Sequence, residues 1–265
     1  MSRLSLALGG TLTAGFAATA LLSRLWTPQD PTAMNLLARL KAPLEHGLLG
    51  TDQIGRDVAS ILMAGAWTSL GTACLATLAG GLVGTALGTL AEGRIARAVM
   101  AANAILFAFP PVLSAILLGA VLGPGGPTAI LAIALFMIPV FARITRAEAL
   151  RVWTQDYILA ARMAGKSRAR ITLDHVLPNI SGQIIAELSI QTGLAILAEA
   201  GLSFLGMGSP PPTPSWGRML SDAQTYLTQA PHLVLAPGLA IALTVLGLNL
   251  LGDGIRHRLD AKGRA

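Results

Sequence analysis

Charged residues are scarce in this chain of 265 residues, because Asp, Glu, Lys and Arg together make up only 12% of it. An average soluble domain carries about 25% charged residues. Hydrophobic residues make up 53% of the chain, so apolar side chains take the place of the missing charge. This composition excludes an ordinary soluble domain and favours a polytopic membrane protein.

Cysteine and aromatic residues are also few. The single cysteine, Cys74, excludes an internal disulfide and a zinc site built from several thiolates. Aromatic residues make up 5% of the chain, and the net charge of +6 comes without the clustered basic and aromatic residues of a nucleic-acid-binding module. We therefore attribute the basic excess to membrane topology and predict no nucleic-acid partner.

Motifs for nucleotide or metal chemistry are missing as well. The sequence has no GxxxxGK[ST] loop to hold nucleotide phosphates. Its four histidines, His46, His175, His232 and His257, show no spacing typical of metal ligands. We predict no catalytic residue, no metal site and no cofactor in this chain.

Long apolar runs dominate the sequence instead. The first run resembles a cleavable signal segment, but its uncharged length favours a retained helix. Together the runs predict an all-α membrane protein with six transmembrane helices in one domain, residues 1–265. The six predicted spans are residues 4–25, 68–91, 98–122, 127–146, 180–206 and 233–252.

The distribution of Lys and Arg predicts the orientation of these spans. Fourteen of the nineteen Lys and Arg residues lie at the two termini, in the loop after the second span and in residues 143–170. Most of the last group belongs to residues 147–178, which we call the basic segment. The positive-inside rule places this side in the cytoplasm. We therefore predict two cytoplasmic termini and two long external loops, residues 27–67 and 207–232.

The two external loops have different patterns. In the first, apolar residues recur at helical spacing from Asp52 onward, and Asp52 and Arg56 lie four residues apart. That pattern predicts an amphipathic helix leading into the second span. The second loop contains SPPPTPSWG, whose prolines cannot continue a helix.

Glycines mark one face of the second span. Gly80, Gly84 and Gly88 lie at intervals of four residues, which would let another helix approach closely. The approaching helix could belong to the same chain or to a second subunit.

Prolines interrupt the third span. Pro110 and Pro111 must kink or break this helix, because neither has a backbone N–H to donate. Carbonyl groups freed at this depth are tolerated only where they are buried or line water. Phe107, Pro110 and Pro111 are therefore candidates for a translocation path, with a purely structural kink as the alternative.

Two acidic residues, Glu187 and Glu199, lie within the fifth span. They are about three turns apart, so they cannot form a paired catalytic site. Ionisable groups at this depth are usually paired or face a cavity. We predict that both carboxyl groups have structural hydrogen-bonding roles.

The basic segment contains the stretch YILAARMAGKSRARITLDHVLPN, residues 157–179. Its alanines are small, and Gly165 can reverse the chain with a positive φ. The pattern predicts a short helix, a glycine turn and a second short helix that ends before the fifth span. Small side chains would let this backbone lie deep in a groove of another protein.

Several motifs in this chain resemble one family of transport proteins. AARMAG followed by HVLPN resembles the EAA motif of permease subunits of bacterial ABC importers, which docks on the ATPase. Three further stretches resemble the C-type subunit of the dipeptide, oligopeptide and nickel permeases. They are GTDQIGRD at 50–57, AEAGLSFLGMGSPPPTPSWGRML at 198–220 and PGLAIALTVLGLNLLGDGIRHRLD at 237–260.

The resemblance implies a type I ABC importer permease fold and a role for particular residues. Tyr157, Ala160, Ala161 and Gly165 match the motif and would form the contact with the ATPase. Leu159 stands where the motif's name has Glu, so a salt bridge from that position is not available.

The resemblance also implies partners and a mechanism. Two cytoplasmic ABC ATPases would bind ATP and Mg²⁺, a second, homologous permease would complete a heterodimer in the lipid of the bacterial inner membrane, and a periplasmic binding protein would deliver substrate. Alternating access would then import di- or oligopeptides.

The sequence leaves other interpretations open. Nickel, metal chelates, opines and glutathione are alternative substrates, because the binding protein largely selects the ligand. A secondary transporter or channel that works without ATP, and a structural scaffold without flux, are alternatives outside the family.

Overall fold

The computed structural model describes residues 2–89, 97–98, 100–103 and 111–262, and these residues are nearly all helical. Short 3-10 turns lie at Leu36–Ala38 and Gln224–Tyr226. The helices are α1 (Ser2–Leu22), α2 (Val58–Thr89), α3 (Pro111–Leu122), α4 (Gly126–Trp153), α5 (Asp156–Met163), α6 (Arg168–Ile171), α7 (Leu177–Phe204), α8 (Trp216–Ala223) and α9 (His232–Lys262).

The described residues include five helical stretches long and apolar enough to cross a membrane, and these confirm five of the six predicted spans. They are Leu4–Leu22, Val58–Thr89, Gly126–Trp153, Arg168–Phe204 and His232–Leu259.

The predicted third span is described only in part. Its second half forms a shorter apolar helix, Val112–Leu122, within α3, which begins at Pro111. Phe107, Pro110 and the predicted kink lie outside the described residues.

Helix α2 begins at Val58 and runs for 32 residues, so a helix does lead into the second span, but it begins six residues later than the predicted start at Asp52. Asp57 caps α2, because the N–H and Oγ of Ser60 donate to its Oδ2 at 2.8 and 2.6 Å. Gly55, at φ +78°, keeps the preceding residues in a turn. The Asp52–Arg56 ion pair forms across that turn, at 2.6 Å.

The helix after Gly165 does not end before the fifth span, which corrects a second prediction. Helix α6 continues through a π-helical turn, Thr172–Val176, into α7. The Leu177 N–H donates to the Thr172 carbonyl five residues back. This wider turn accommodates Pro178, which lacks an N–H and whose ring would clash in a regular helix.

Helices α2 and α4 pack together along the glycine face of α2. The missing side chains let the two backbones approach, and this confirms packing within the chain as the role of the three glycines. A Cβ atom at Gly80, Gly84 and Gly88 would lie 2.6, 2.5 and 2.7 Å from the carbonyl oxygens of Ala134, Ile138 and Ala142, respectively.

Helices α1 and α9 also approach closely. A Cβ atom at Gly254 would lie 2.9 Å from the Cα of Leu6, and one at Gly182 would lie 2.5 Å from a methyl group of Leu259. The beginnings of α1 and α7 and the end of α9 therefore share one end of the bundle. We call it the basic end, because it carries the basic segment; the loop end carries residues 23–57 and 205–231.

The α2–α4 packing predicts the effect of a single methyl group. Gly84→Ala should lower the free energy of unfolding by about 1–3 kcal/mol, because the α4 backbone would have to move. Gly71→Ala is the matched control, since a Cβ atom at Gly71 in the same helix meets nothing within 4 Å. Thermal unfolding of the purified variants in detergent checks this, and equal midpoints would contradict the packing.

Candidate functional site

The basic segment folds as a helix, a turn and a second helix at the end of α4. Gly165 adopts φ +77°, which confirms the predicted glycine turn. The turn ends α5 in the manner of a glycine C-cap: the Lys166 N–H donates to the Ala161 carbonyl at 3.2 Å. Ser167 then begins α6, because its hydroxyl oxygen accepts the Arg170 N–H.

A small apolar core attaches α5 to the rest of the protein. Ile158 is fully buried and Ala161 is only 9% exposed. They pack with Val152 and Trp153 from α4 and with Ile180 from α7. Ala161 thus faces the protein's own interior, whereas its predicted contact with the ATPase would require an exposed side chain.

Trp153 connects both arms of the basic segment to α4. Arg162 from α5 and Arg168 from α6 lie 5.0 and 5.1 Å from the centre of its ring. Guanidinium groups at this distance from an indole are held by cation–π attraction. One side chain at the end of α4 therefore holds the residues before and after the glycine turn.

A second electrostatic contact closes the turn. Asp174 lies 2.8 Å from Arg170 Nε and 3.4 Å from Lys166 Nζ. All three side chains are partly exposed, so each pair contributes little stability by itself. Together with Trp153 they hold the basic segment in one folded arrangement.

The outer side of α5 is apolar and exposed. Met163 is 84% exposed, Leu159 is 50% exposed and Tyr157 is 44% exposed. Ala160 and Gly165 are exposed beside them. An exposed apolar patch among basic side chains is typical of a surface that another protein covers.

The loop end brings together two motifs that are far apart in the sequence. The GTDQIGRD turn is fixed by Asp52, whose Oδ1 accepts the N–H groups of Ile54 and Arg56 at 3.0 and 2.9 Å. Opposite it lie Pro211–Pro214 and the ion pair of Arg218 with Asp222, at 3.0 Å. These residues line a cleft, the loop-end cleft.

Trp216 attaches the proline-rich loop to the helices. Its side chain is 1% exposed, its backbone N–H donates to the Ser69 hydroxyl oxygen at 3.1 Å, and its indole N–H donates to the Leu62 carbonyl at 3.0 Å. The loop-end cleft is therefore built directly on α2.

Both acidic residues of α7 form the hydrogen bonds that the sequence predicted. Gln191 donates to Glu187 at 2.6 Å, and Ser203 donates to Glu199 at 2.6 Å.

The sequence did not predict the roles of Trp153 and Trp216. Their positions in the sequence could have indicated these roles. Trp153 stands beside the basic segment and Trp216 directly follows the proline-rich stretch, in a chain with few aromatic residues.

Comparison with known proteins gives a consistent result. The model of the family described as "Binding-protein-dependent transport system inner membrane component" matches residues 76–264. Among solved structures, inward-facing conformations of the MetNI methionine ABC transporter match with a TM-score of 0.64 at 17% identity. That match covers 75% of this chain and 96% of the other, and it shows the fold.

Sequence relatives are transport permeases. The glutathione transport system permease protein GsiD of Pectobacterium atrosepticum is 42% identical over 225 residues, which cover 84% of this chain and 75% of the relative. The dipeptide transport system permease protein DppC of Alkalihalophilus pseudofirmus is 38% identical over 250 residues, covering 93% and 82%, respectively.

Removal of the Trp153 ring should loosen the basic segment. In Trp153→Leu, both arginine contacts are lost, at about 0.5–2 kcal/mol each, so amide exchange across residues 157–170 should accelerate. Trp67→Leu is the control, because it removes a similar contact with Arg24, at 5.4 Å, at the loop end. Hydrogen–deuterium exchange with mass spectrometry makes the measurement; equal exchange in both variants would contradict the assigned role.

Proposed function

This chain belongs to the family of binding-protein-dependent transport system inner membrane components, and from this membership we propose that it is the permease subunit of an ATP-driven importer of glutathione and related short peptides. The exposed apolar face of α5, held at the basic end, carries the proposal. It is a preformed docking element, which a channel or a self-sufficient transporter would not require. The names of the relatives support the substrate class.

The α5 surface is the contact with the ATPase. Tyr157, Ala160 and Gly165 face outward, and Ala161 supports them from behind. Small residues at the centre of this face let the backbone enter a groove, while Met163 and Leu159 add apolar area at its edge. ATP and Mg²⁺ bind to the partner ATPases, so hydrolysis takes place there and this chain needs no cofactor.

The basic end faces the cytoplasm and the loop end faces the periplasm of a bacterial inner membrane. The concentration of Lys and Arg around the basic segment supports this orientation. Both chain termini are then cytoplasmic, because α1 begins and α9 ends at the basic end. The loop-end cleft is available to a periplasmic binding protein.

Transport requires a complete complex. Two ATPases close when they bind ATP, and they pull on the α5 surfaces of two homologous permeases. The permeases then rock between inward-open and outward-open states. We propose that the two permeases are different chains. The translocation path lies between the permeases, and Phe107, Pro110 and Pro111 are its proposed lining residues in this chain.

Reconstitution tests the proposed function. The complex recovered with this chain is placed in proteoliposomes with its binding protein, and uptake of labelled glutathione, dialanine and nickel is measured with and without ATP. We expect ATP-dependent accumulation of glutathione or dialanine. Accumulation of nickel alone would change the substrate class, and uptake without ATP would contradict the importer mechanism.

A large charged side chain at the glycine turn should separate the permease from its ATPase. Gly165→Arg should reduce ATPase recovery and ATP-dependent uptake by at least about tenfold, since roughly 1.4 kcal/mol of lost affinity suffices. Membrane insertion should be unaffected. The measurements are the amount of ATPase that co-purifies and the uptake rate.

Gly123→Arg is the matched control for backbone strain. Gly123 has φ +84° and open space around it, as Gly165 does, but it lies between α3 and α4, away from α5. The Gly123→Arg permease should still co-purify with the ATPase. Normal ATPase recovery and uptake in Gly165→Arg would contradict the docking assignment.

A further inference from the structure

A buried carboxyl group lies beneath the proline-rich loop and has no part in the transport scheme above. Glu199, near the loop end of α7, is 2% exposed. Its Oε1 accepts the Ser203 hydroxyl at 2.6 Å, whereas no described residue donates a hydrogen bond of good geometry to Oε2. A buried carboxyl group is costly unless polar neighbours satisfy it, so its surroundings require an explanation.

Two further hydroxyl groups face this carboxyl group, those of Ser69 in α2 and Ser215 beside α8. The Ser69 hydroxyl oxygen already accepts the Trp216 N–H at 3.1 Å, and the Ser215 hydroxyl oxygen accepts the Arg218 N–H at 3.2 Å. A hydroxyl that accepts through its oxygen still has its hydrogen to donate. Both hydrogens are therefore free to point toward Glu199, which lies beside Ser69 of α2 and Ser215 at the start of α8.

Close packing leaves little room for the loop to lie elsewhere. A Cβ atom at Gly217 would overlap the Ala200 carbonyl, and one at Gly208 would overlap the Ser203 hydroxyl. On the other side, the Trp216 ring meets the edge of Phe16, with the ring centres 5.9 Å apart. The loop is thus fitted onto α1, α2 and α7 around Glu199.

The opposite side of the same loop forms the loop-end cleft. Pro211–Pro214 and Arg218 line it, facing Asp52 and Arg56. Ser215 lines the same cleft and is also a neighbour of the buried carboxyl group. The cleft wall and the hydrogen bonds of Ser215 and Trp216 thus belong to one short loop.

We propose that Glu199 is a positioning residue for the docking of the periplasmic binding protein. It fixes Ser215 and Trp216 on α2 and α7, and it thereby holds the cleft wall in the shape that the binding protein meets. This inference rests on the proposed function, because it requires a binding protein that docks at the loop end. Glu199 itself touches neither the binding protein nor the substrate.

Two substitutions of Glu199 and one control test this role in nanodiscs. The binding protein is loaded with glutathione or dialanine, whichever supports uptake, and its concentration for half-maximal stimulation of ATP hydrolysis is measured. Glu199→Leu should raise that concentration by about tenfold, because the Ser203 hydroxyl loses its acceptor and the neighbouring hydroxyls of Ser69 and Ser215 face an apolar side chain. Glu199→Gln should stay within about twofold of the unsubstituted protein, since its amide oxygen accepts the same hydroxyls.

Glu187→Leu is the matched control. It removes a carboxyl group from the same helix, where Glu187 bonds only to Gln191 among the contacts described, and it leaves the loop unchanged. It should not alter the half-maximal concentration. Ser69→Ala provides a variant without added bulk if Glu199→Leu fails to assemble, and its half-maximal concentration should rise in the same direction.

The outcomes separate the two levels of inference. A half-maximal concentration unchanged in Glu199→Leu and Ser69→Ala, with only their thermal stability lowered, would overturn the positioning role and leave the importer intact. A complex that no loaded binding protein stimulates, even without substitution, would overturn both. A parallel rise in Glu187→Leu would also overturn the assignment to Glu199.

Discussion

The close packing of α2 on α4 through three glycines is the constraint on which the rest of the structure depends. The contact joins the basic-end half of α2, at Gly80, Gly84 and Gly88, to the middle of α4. Because the two backbones touch there, neither helix can slide or rotate without displacing the other. Helix α4 ends at Trp153, which holds the basic segment. Helix α2 begins at the Asp57 cap, beside the loop-end cleft. These two packed helices therefore join the two ends of the protein.

This arrangement explains how a force at one end reaches the other. The apolar core around Ile158 attaches α5 to α4 and α7, and the hydrogen bonds around Trp216 attach the proline-rich loop to α2. In the proposed mechanism, we expect a displacement of α5 to move these helices and the cleft as one body, because each junction is buried and closely packed. Rigid-body rotation of this kind is one of the common ways in which proteins switch between two states.

Much of this could be predicted from local features of the sequence. The long apolar runs predicted the membrane helices, and the spacing of the three glycines predicted a close helix contact. The glycine at position 165 predicted the turn with positive φ that the structure shows there. Contacts between distant residues cannot be predicted from local features. The contacts of Trp153 with two arginines and of Trp216 with Ser69, and the inward direction of Ala161, all depend on tertiary packing.

Two local predictions differ from the structure. The predicted start of α2 is too early, because the helical spacing after Asp52 suggested a helix there, whereas Asp57 is the residue that caps it. The predicted end of α6 is also too early, because Pro178 suggests the end of a helix, whereas here it follows a π-helical turn that continues the helix.

Pulsed electron–electron resonance gives the most direct test of the link between α5 and α2. Spin labels at Asp156 in α5 and Leu82 in α2, both of which are exposed, would be introduced with Cys74 replaced, in the complete complex. We predict that the distance between these labels is the same without nucleotide and with ATP trapped, while the distance from Leu82 to the second permease changes. A change in the distance between Asp156 and Leu82 as large as the change between the two permeases would contradict movement as one body.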